Sequence, residues 1–289
     1  MQNSRNITRK SASNLALAFV LLPREKRDGM SALYAFCREV DDVADDESVP
    51  VEKRREALAA WRDDIRRACE GGNPQFPVNQ EFQPVIRRYN LKFEHFDELI
   101  KGVEMDLDIK TYNDFDQLEK YCHRVASVVG LLSIEIFGYR DPACVEYAIH
   151  LGKALQLTNI LRDVRSDAER GRIYLPETER RRFQVTPQEI FKGEYSERYF
   201  NLAKCVAERA RHHYRQARLT LPVVDRKSMV AAELMGSVYW RLLCKLERQQ
   251  FDVFGPKVTR LTKLQKILLI LRAGIRSASG AMTPNYGMP

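Results

Sequence analysis

The chain has 289 residues, 44% of them hydrophobic and 30% charged, with a formal net charge of +8. That balance is globular rather than disordered, and the length suffices for a buried core without metal or disulfide staples. Six cysteines are scattered with no C-x-x-C pair, which argues against a zinc knuckle or a disulfide framework and for reduced thiols. The positive charge suits a polyanionic small substrate, a nucleic acid or an acidic membrane surface. No dense arginine run or nucleic-acid motif is present, so nucleic acid is not expected as a partner.

In chain order, residues 1–12 are polar, lack the apolar core of a signal peptide and read as a flexible N-terminus. Residues 25–43 carry Met30, Leu33, Tyr34, Phe36, Cys37 and Val40 at helical spacing, which predicts an amphipathic helix. A charged helix over 51–70 ends at Gly71-Gly72. Helices follow over 94–109 and 114–137, the second opened by Asp114 and Gln117 as a capping box. Pro142 precedes a helix over 143–164, and Thr186-Pro187-Gln188-Glu189 starts a short one. Long helices over 197–221 and 226–251, a last amphipathic one over 260–275 and a loose tail, 277–289, complete the reading. No segment alternates with period two over a strand's length, and no apolar run is long enough to cross a bilayer. The expected fold class is all-α, one domain over 13–276.

One motif occurs twice. Asp41 and Asp45 close one apolar helix, and Asp163 and Asp167 close another, each pair four residues apart and so on one helix face. Like charges at that spacing repel, and a helix C-terminus disfavours anions. A cation must compensate, and Mg²⁺ suits hard oxygen ligands shared with a substrate phosphate. A single D-x-x-x-D is usually a solvated acidic face; two copies, each with an arginine beside it, carry more weight.

Three blocks extend the pattern: residues 34–42 (Tyr34 to Asp42), residues 121–130 (Tyr121 to Gly130) and residues 155–163 (Leu155 to Asp163), joined by Arg170-Gly171-Arg172-Ile173-Tyr174-Leu175-Pro176. They resemble the squalene/phytoene synthase family, over about residues 13–272. The resemblance implies an α-helical isoprenoid-synthase bundle with a central active-site cavity between the two aspartate-rich helices. It implies that Asp41, Asp45, Asp163 and Asp167, with Asn159, bind metal. It places diphosphate-binding cations at Arg38, Arg162, Arg172 and Lys257, further substrate contacts at Ser13, Asn14, Tyr34, Gln156, Asn159 and Tyr239, and a proton-transfer tyrosine at Tyr121. Two departures stand out. Ala12-Ser13-Asn14-Leu15 keeps only part of a serine-rich diphosphate contact, and Arg165-Ser166 replaces a frequent Gly-Glu.

The block from Tyr121 to Tyr139 looks most like the bacterial presqualene diphosphate synthases of hopanoid pathways. The resemblance therefore implies head-to-head joining of two farnesyl diphosphates with Mg²⁺ and without NADPH, in the cytoplasm or peripherally at the inner membrane. Phytoene or dehydrosqualene synthesis and NADPH-dependent squalene synthesis are the alternatives, and a non-catalytic assembly protein is the alternative of another class. The oligomeric state is left open. Candidate walls for a carbocation are Tyr34, Phe36, Tyr121, Phe137 and Tyr239, with Phe36 and Phe137 expected only to pack. His212 and His213 are expected on the surface. The basic residues Lys257, Arg260, Lys263 and Lys266 read as a solvated helix face, with a diphosphate (at Lys257) or an anionic membrane as the functional options.

Overall fold

The computed structural model describes residues 1–10, 18–278 and 283–288. The segment expected to be a flexible N-terminus instead opens with helix α1 (Gln2–Lys10). The Glu81 carboxylate accepts the Met1 ammonium at 2.8 Å and the Ser4 N–H at 2.9 Å, and Arg5 pairs with Asp28 at 2.6 Å. First-turn N–H groups that a helix leaves without partners are thereby satisfied.

Helices α2 (Arg24–Asp45), α3 (Val51–Cys69), α4 (Pro77–Tyr89) and α5 (Phe93–Asp108) pack round an aromatic cluster. Phe36 lies edge-on to Trp61 and Phe96, with ring centroids 5.9 and 5.3 Å away, so it packs as expected. Helix α4 is absent from the sequence reading because prolines at 77 and 84 punctuate it. Pro77 occupies the first turn, where no N–H is needed, and Pro84 costs one interior bond that burial of Val78, Phe82 and Ile86 offsets.

The expected single helix over 114–137 is interrupted. Helix α6 (Phe115–Cys122) passes through a π-helical turn, His123–Ser127, into α7 (Val128–Phe137). The turn is wedged between two glycines. A Cβ on Gly102 would lie 2.7 Å from Arg124 Cβ, and one on Gly152 would lie 2.5 Å from Ser127 Cα. The backbones of α5 and α8 therefore touch the wider turn from either side.

Helix α8 (Cys144–Glu169) runs through the centre. After it come α9 (Glu177–Arg182), α10 (Pro187–Lys192), α11 (Glu197–Thr220), α12 (Val230–Arg248) and α13 (Lys263–Ala278). The Thr186–Glu189 capping box forms as read. Helix α11 lies along α8 for much of its length. Between them His213 is buried, not exposed, with its Nδ1 3.0 Å from Nδ1 of His150. The described part of the tail, 283–288, is anchored. Tyr286 is fully buried and donates to Glu233, which also accepts from Tyr147 at 2.8 Å.

Among the described residues there is no strand, only a parallel bridge between Thr111 and Ile173. All six cysteines are free, and no helix of the described residues is long and apolar enough to cross a membrane.

Candidate active site

Both helices that end in aspartates run further than their apolar pattern, so the acidic residues sit inside the last turns. Helix α2 reaches Asp45 and α8 reaches Glu169. On α8, Asn159, Asp163 and Asp167 recur every four residues and share one face. The two helix ends are joined across the gap. Asp45 accepts from Arg170 Nη1 at 3.1 Å and from Arg172 Nη1 at 3.3 Å. Arg162 pairs with its neighbour Asp163, and Arg38 with Asp42 at 2.5 Å. The carboxylates are thus partly neutralised by Arg38, Arg162 and Arg172, which the resemblance assigns to diphosphate, and by Arg170, which it does not.

Beside these groups lies a cavity of about 630 Å³, whose lining includes Asp163 and Asp167 but not Asp41, Asp45 or Arg172. Arg162, Asp163 and Asp167 line it from α8, Arg38 from α2 and Tyr239 from α12. Its remaining wall is the segment before and at the start of α13, through Arg260 and Lys266. Lys257 is exposed and does not line it, so the wall cations there are Arg260 and Lys266 instead. Arg165, replacing a frequent glycine, holds that segment's approach by donating to the Phe254 carbonyl at 3.0 Å. Tyr34 is half-buried on α2, one turn before Arg38, and Gln156 accepts from Asn159 Nδ2 at 3.4 Å. Ser13 and Asn14 lie outside the described residues.

The electrostatics show strain that a cation would relieve. Asp41 keeps a solvent-exposed edge but is crowded by protein on its other sides. That burial, with Asp45 and Asp106 nearby, pushes its carboxyl up to about 7. Asp167 is pushed to about 7 by burial and by Asp163, against the pull of Arg172.

Asp106, on α5, is a site residue that the sequence reading missed. It accepts from Tyr121 at 2.9 Å and from Tyr174 at 2.7 Å, and its negative charge is felt by both Asp41 and Asp167. It therefore stands between the two motifs. Tyr112, Tyr121 and Tyr174 stack around it with ring centroids 5.2 to 5.5 Å apart. Burial and the Asp106 charge hold the Tyr121 hydroxyl well above its ordinary value, so it stays protonated.

The donor set fits a hard divalent cation. The Asn159 Oδ1 is buried with no hydrogen-bond partner, aligned with two carboxylates on the same helix face. Among the described residues no three His, Cys, Asp or Glu side chains converge on one point. Any ion would then be held by one or two protein oxygens, with the rest from water and a phosphate, as Mg²⁺ commonly is.

Farther along α7, α8 and α12 lies an apolar hollow of about 100 Å³. Along α8, Leu155, Leu151 and Tyr147 line it at increasing distance from the aspartates, and Phe19 and Phe137 complete part of the wall. Phe137, expected only to pack, borders this space.

The squalene/phytoene synthase family model matches residues 8–265. A presqualene diphosphate synthase of Rhodopseudomonas palustris is 37% identical over 264 residues, covering 91% of this chain and 93% of that protein. A phytoene synthase of Arthrospira platensis is 34% identical over 268 residues, covering 88% and 85%. The crystal structure of a dehydrosqualene synthase with ligand superposes with a TM-score of 0.86 at 28% identity, covering 96% of this chain and 95% of that one. A squalene synthase from Alicyclobacillus acidocaldarius gives 0.79 at 28% identity, covering 86% and 93%. Helix order, opposed aspartate pairs and these similarities agree: the chain has the all-α isoprenoid-synthase fold and belongs to the squalene/phytoene synthase family of prenyltransferase-type enzymes.

Proposed function

We propose that the protein joins two farnesyl diphosphates head to head into presqualene diphosphate, releasing one diphosphate and using Mg²⁺ but no NADPH. The observation that carries this reading is the cavity lined by Asp163 and Asp167 among Arg38, Arg162 and Arg170, the last of which also pairs with Asp45 of the other motif, with an apolar hollow farther along α8. Asp41, Asp45, Asn159, Asp163 and Asp167 would supply the protein oxygens for bound Mg²⁺, one or two to each ion. When bound, Mg²⁺ neutralises charge on a departing diphosphate.

The chain's own groups do the rest. Arg38, Arg162 and Arg172 exchange their carboxylate partners for phosphate oxygens and orient the donor so that its carbon–oxygen bond can break. The apolar walls keep water from the allylic cation. The acceptor's double bond forms the new carbon–carbon bond, and loss of one proton closes the cyclopropane. Tyr121, which donates to Asp106, would pass that proton on, because a tyrosine kept protonated relays rather than accepts. The product retains a diphosphate and gains no hydride, so the step needs no reductant.

The presqualene reading is supported by the relatives of that name. Phytoene synthases of similar identity make geranylgeranyl diphosphate the second substrate to test. The experiment is incubation with each diphosphate, with Mg²⁺ or chelator and with or without NADPH, followed by mass identification. Presqualene diphosphate from farnesyl diphosphate, indifferent to NADPH and lost on chelation, is expected. Asp163→Asn should abolish turnover with helical circular dichroism unchanged. Squalene formed only with NADPH, or phytoene from the longer substrate, would reassign the product; no diphosphate release from either would overturn the enzymatic reading.

A further inference from the structure

Helix α13 presents an outward apolar face. Leu264, Ile267, Leu268, Leu271 and Ile275 are each more than half exposed. At helical spacing the five fall within an arc of about 100°. The opposite side, with Leu269 buried and Ile270 and Ala273 half-buried, packs on the bundle, chiefly α12. The stripe is therefore surplus to folding.

Charge borders it on both sides. Lys263 and Arg272 are exposed at its edges, Lys266 and Arg276 follow, and the helix contains no Asp or Glu. An exposed aliphatic band flanked by cations, on a helix without an acidic residue, is the composition of a helix that lies in a bilayer interface. A solvated face, the plainest sequence reading, does not bare five large aliphatic side chains in one band.

The face also adjoins the cavity mouth. Lys266 and Arg260 line the cavity, and Val258 lines it while 45% exposed. The opening lies at the N-terminal end of the stripe.

We propose that α13 docks on the surface of an anionic phospholipid bilayer. The aliphatic stripe enters the acyl boundary, Lys263 and Arg272 meet headgroup phosphates, and the cavity mouth is brought to the lipid. That the mouth would then deliver a long-chain product into the lipid rests on the proposed function; the docking itself rests on α13 alone.

The test is flotation of the full chain with vesicles of phosphatidylcholine alone or mixed with phosphatidylglycerol. Binding is expected to the mixed vesicles and to weaken with added salt. Leu268→Asp with Leu271→Asp should lower partitioning on the order of 100-fold. Lys263→Glu with Arg272→Glu should lower it about tenfold, since each cation near an anionic surface contributes separately. Circular dichroism and diphosphate release in solution should be unchanged in both variants. Failure of the wild-type chain to float, or equal flotation of the Leu268/Leu271 variant, would overturn the proposal. So would a dimer that this variant splits in the absence of vesicle binding, which would assign the face to a second copy. Flotation without any diphosphate release would leave the docking standing and refute the proposed function instead.

Discussion

Asp106 shows how a single carboxylate can serve two tasks. It fixes the hydroxyls of Tyr121 and Tyr174, and its charge raises the pKa of an aspartate in each motif. Asp106→Asn keeps the size but puts an amide N–H₂ against one tyrosine hydroxyl. Diphosphate release is expected to fall on the order of 100-fold, the scale of a positioned proton-transfer group. Substrate KM should change little, because the arginines are untouched; steady-state kinetics with the thermal midpoint as control separate this from misfolding. The motif aspartates were legible because spacing on one helix is local information. Asp106 was not, since its partners lie 15 and 68 residues away in sequence. Neither was the exposure of Lys257 or the burial of His213, which depend on how a loop and a neighbouring helix lie.

At the scale of elements, the π-helical turn is set by its neighbours. One extra residue in a turn leaves almost no trace in an apolar pattern, so residues 114–137 read as one helix. The two glycines explain why the turn persists: both flanking backbones approach too closely for a side chain. Gly152→Ala should cost about 3 kcal/mol or prevent folding, because its Cβ meets backbone rather than a movable side-chain end. Gly255→Ala, which meets nothing within 4 Å, should stay within about 0.5 kcal/mol of the parent; denaturant titration of both checks the contrast. Most helices were legible for the opposite reason, since a 3.6-residue stripe is repeated many times along each. Helix α4 was hidden by its prolines, and α9, six residues long, offers too few turns to show a period.

Over the whole molecule, the chain's last described residues reach back to its middle. Tyr286 lies on Gly236 and, with Tyr147, donates to Glu233, whose burial pushes its carboxyl up to about 7 despite both hydrogen bonds. The native value lies above the unfolded one, so the folded state holds the extra proton. Stability from this group is full below about pH 4.5 and declines as pH rises toward 7, by about 3 kcal/mol in all. Glu233→Gln should flatten that slope between roughly pH 4.5 and pH 7 in thermal melts, whatever its effect on the absolute midpoint. A tail of small polar residues gives no hint of this, because one buried ring decides it. The ion pairs across the cavity have a different consequence. With Asp45 on Arg170 and Arg172, and Asp163 on Arg162, the site already contains its own counterions. Ligand binding is then an exchange of partners: a phosphate frees a carboxylate, and a metal frees a guanidinium. Each newcomer removes the obstacle to the other, and by reciprocity the two should bind together far more tightly than either does alone.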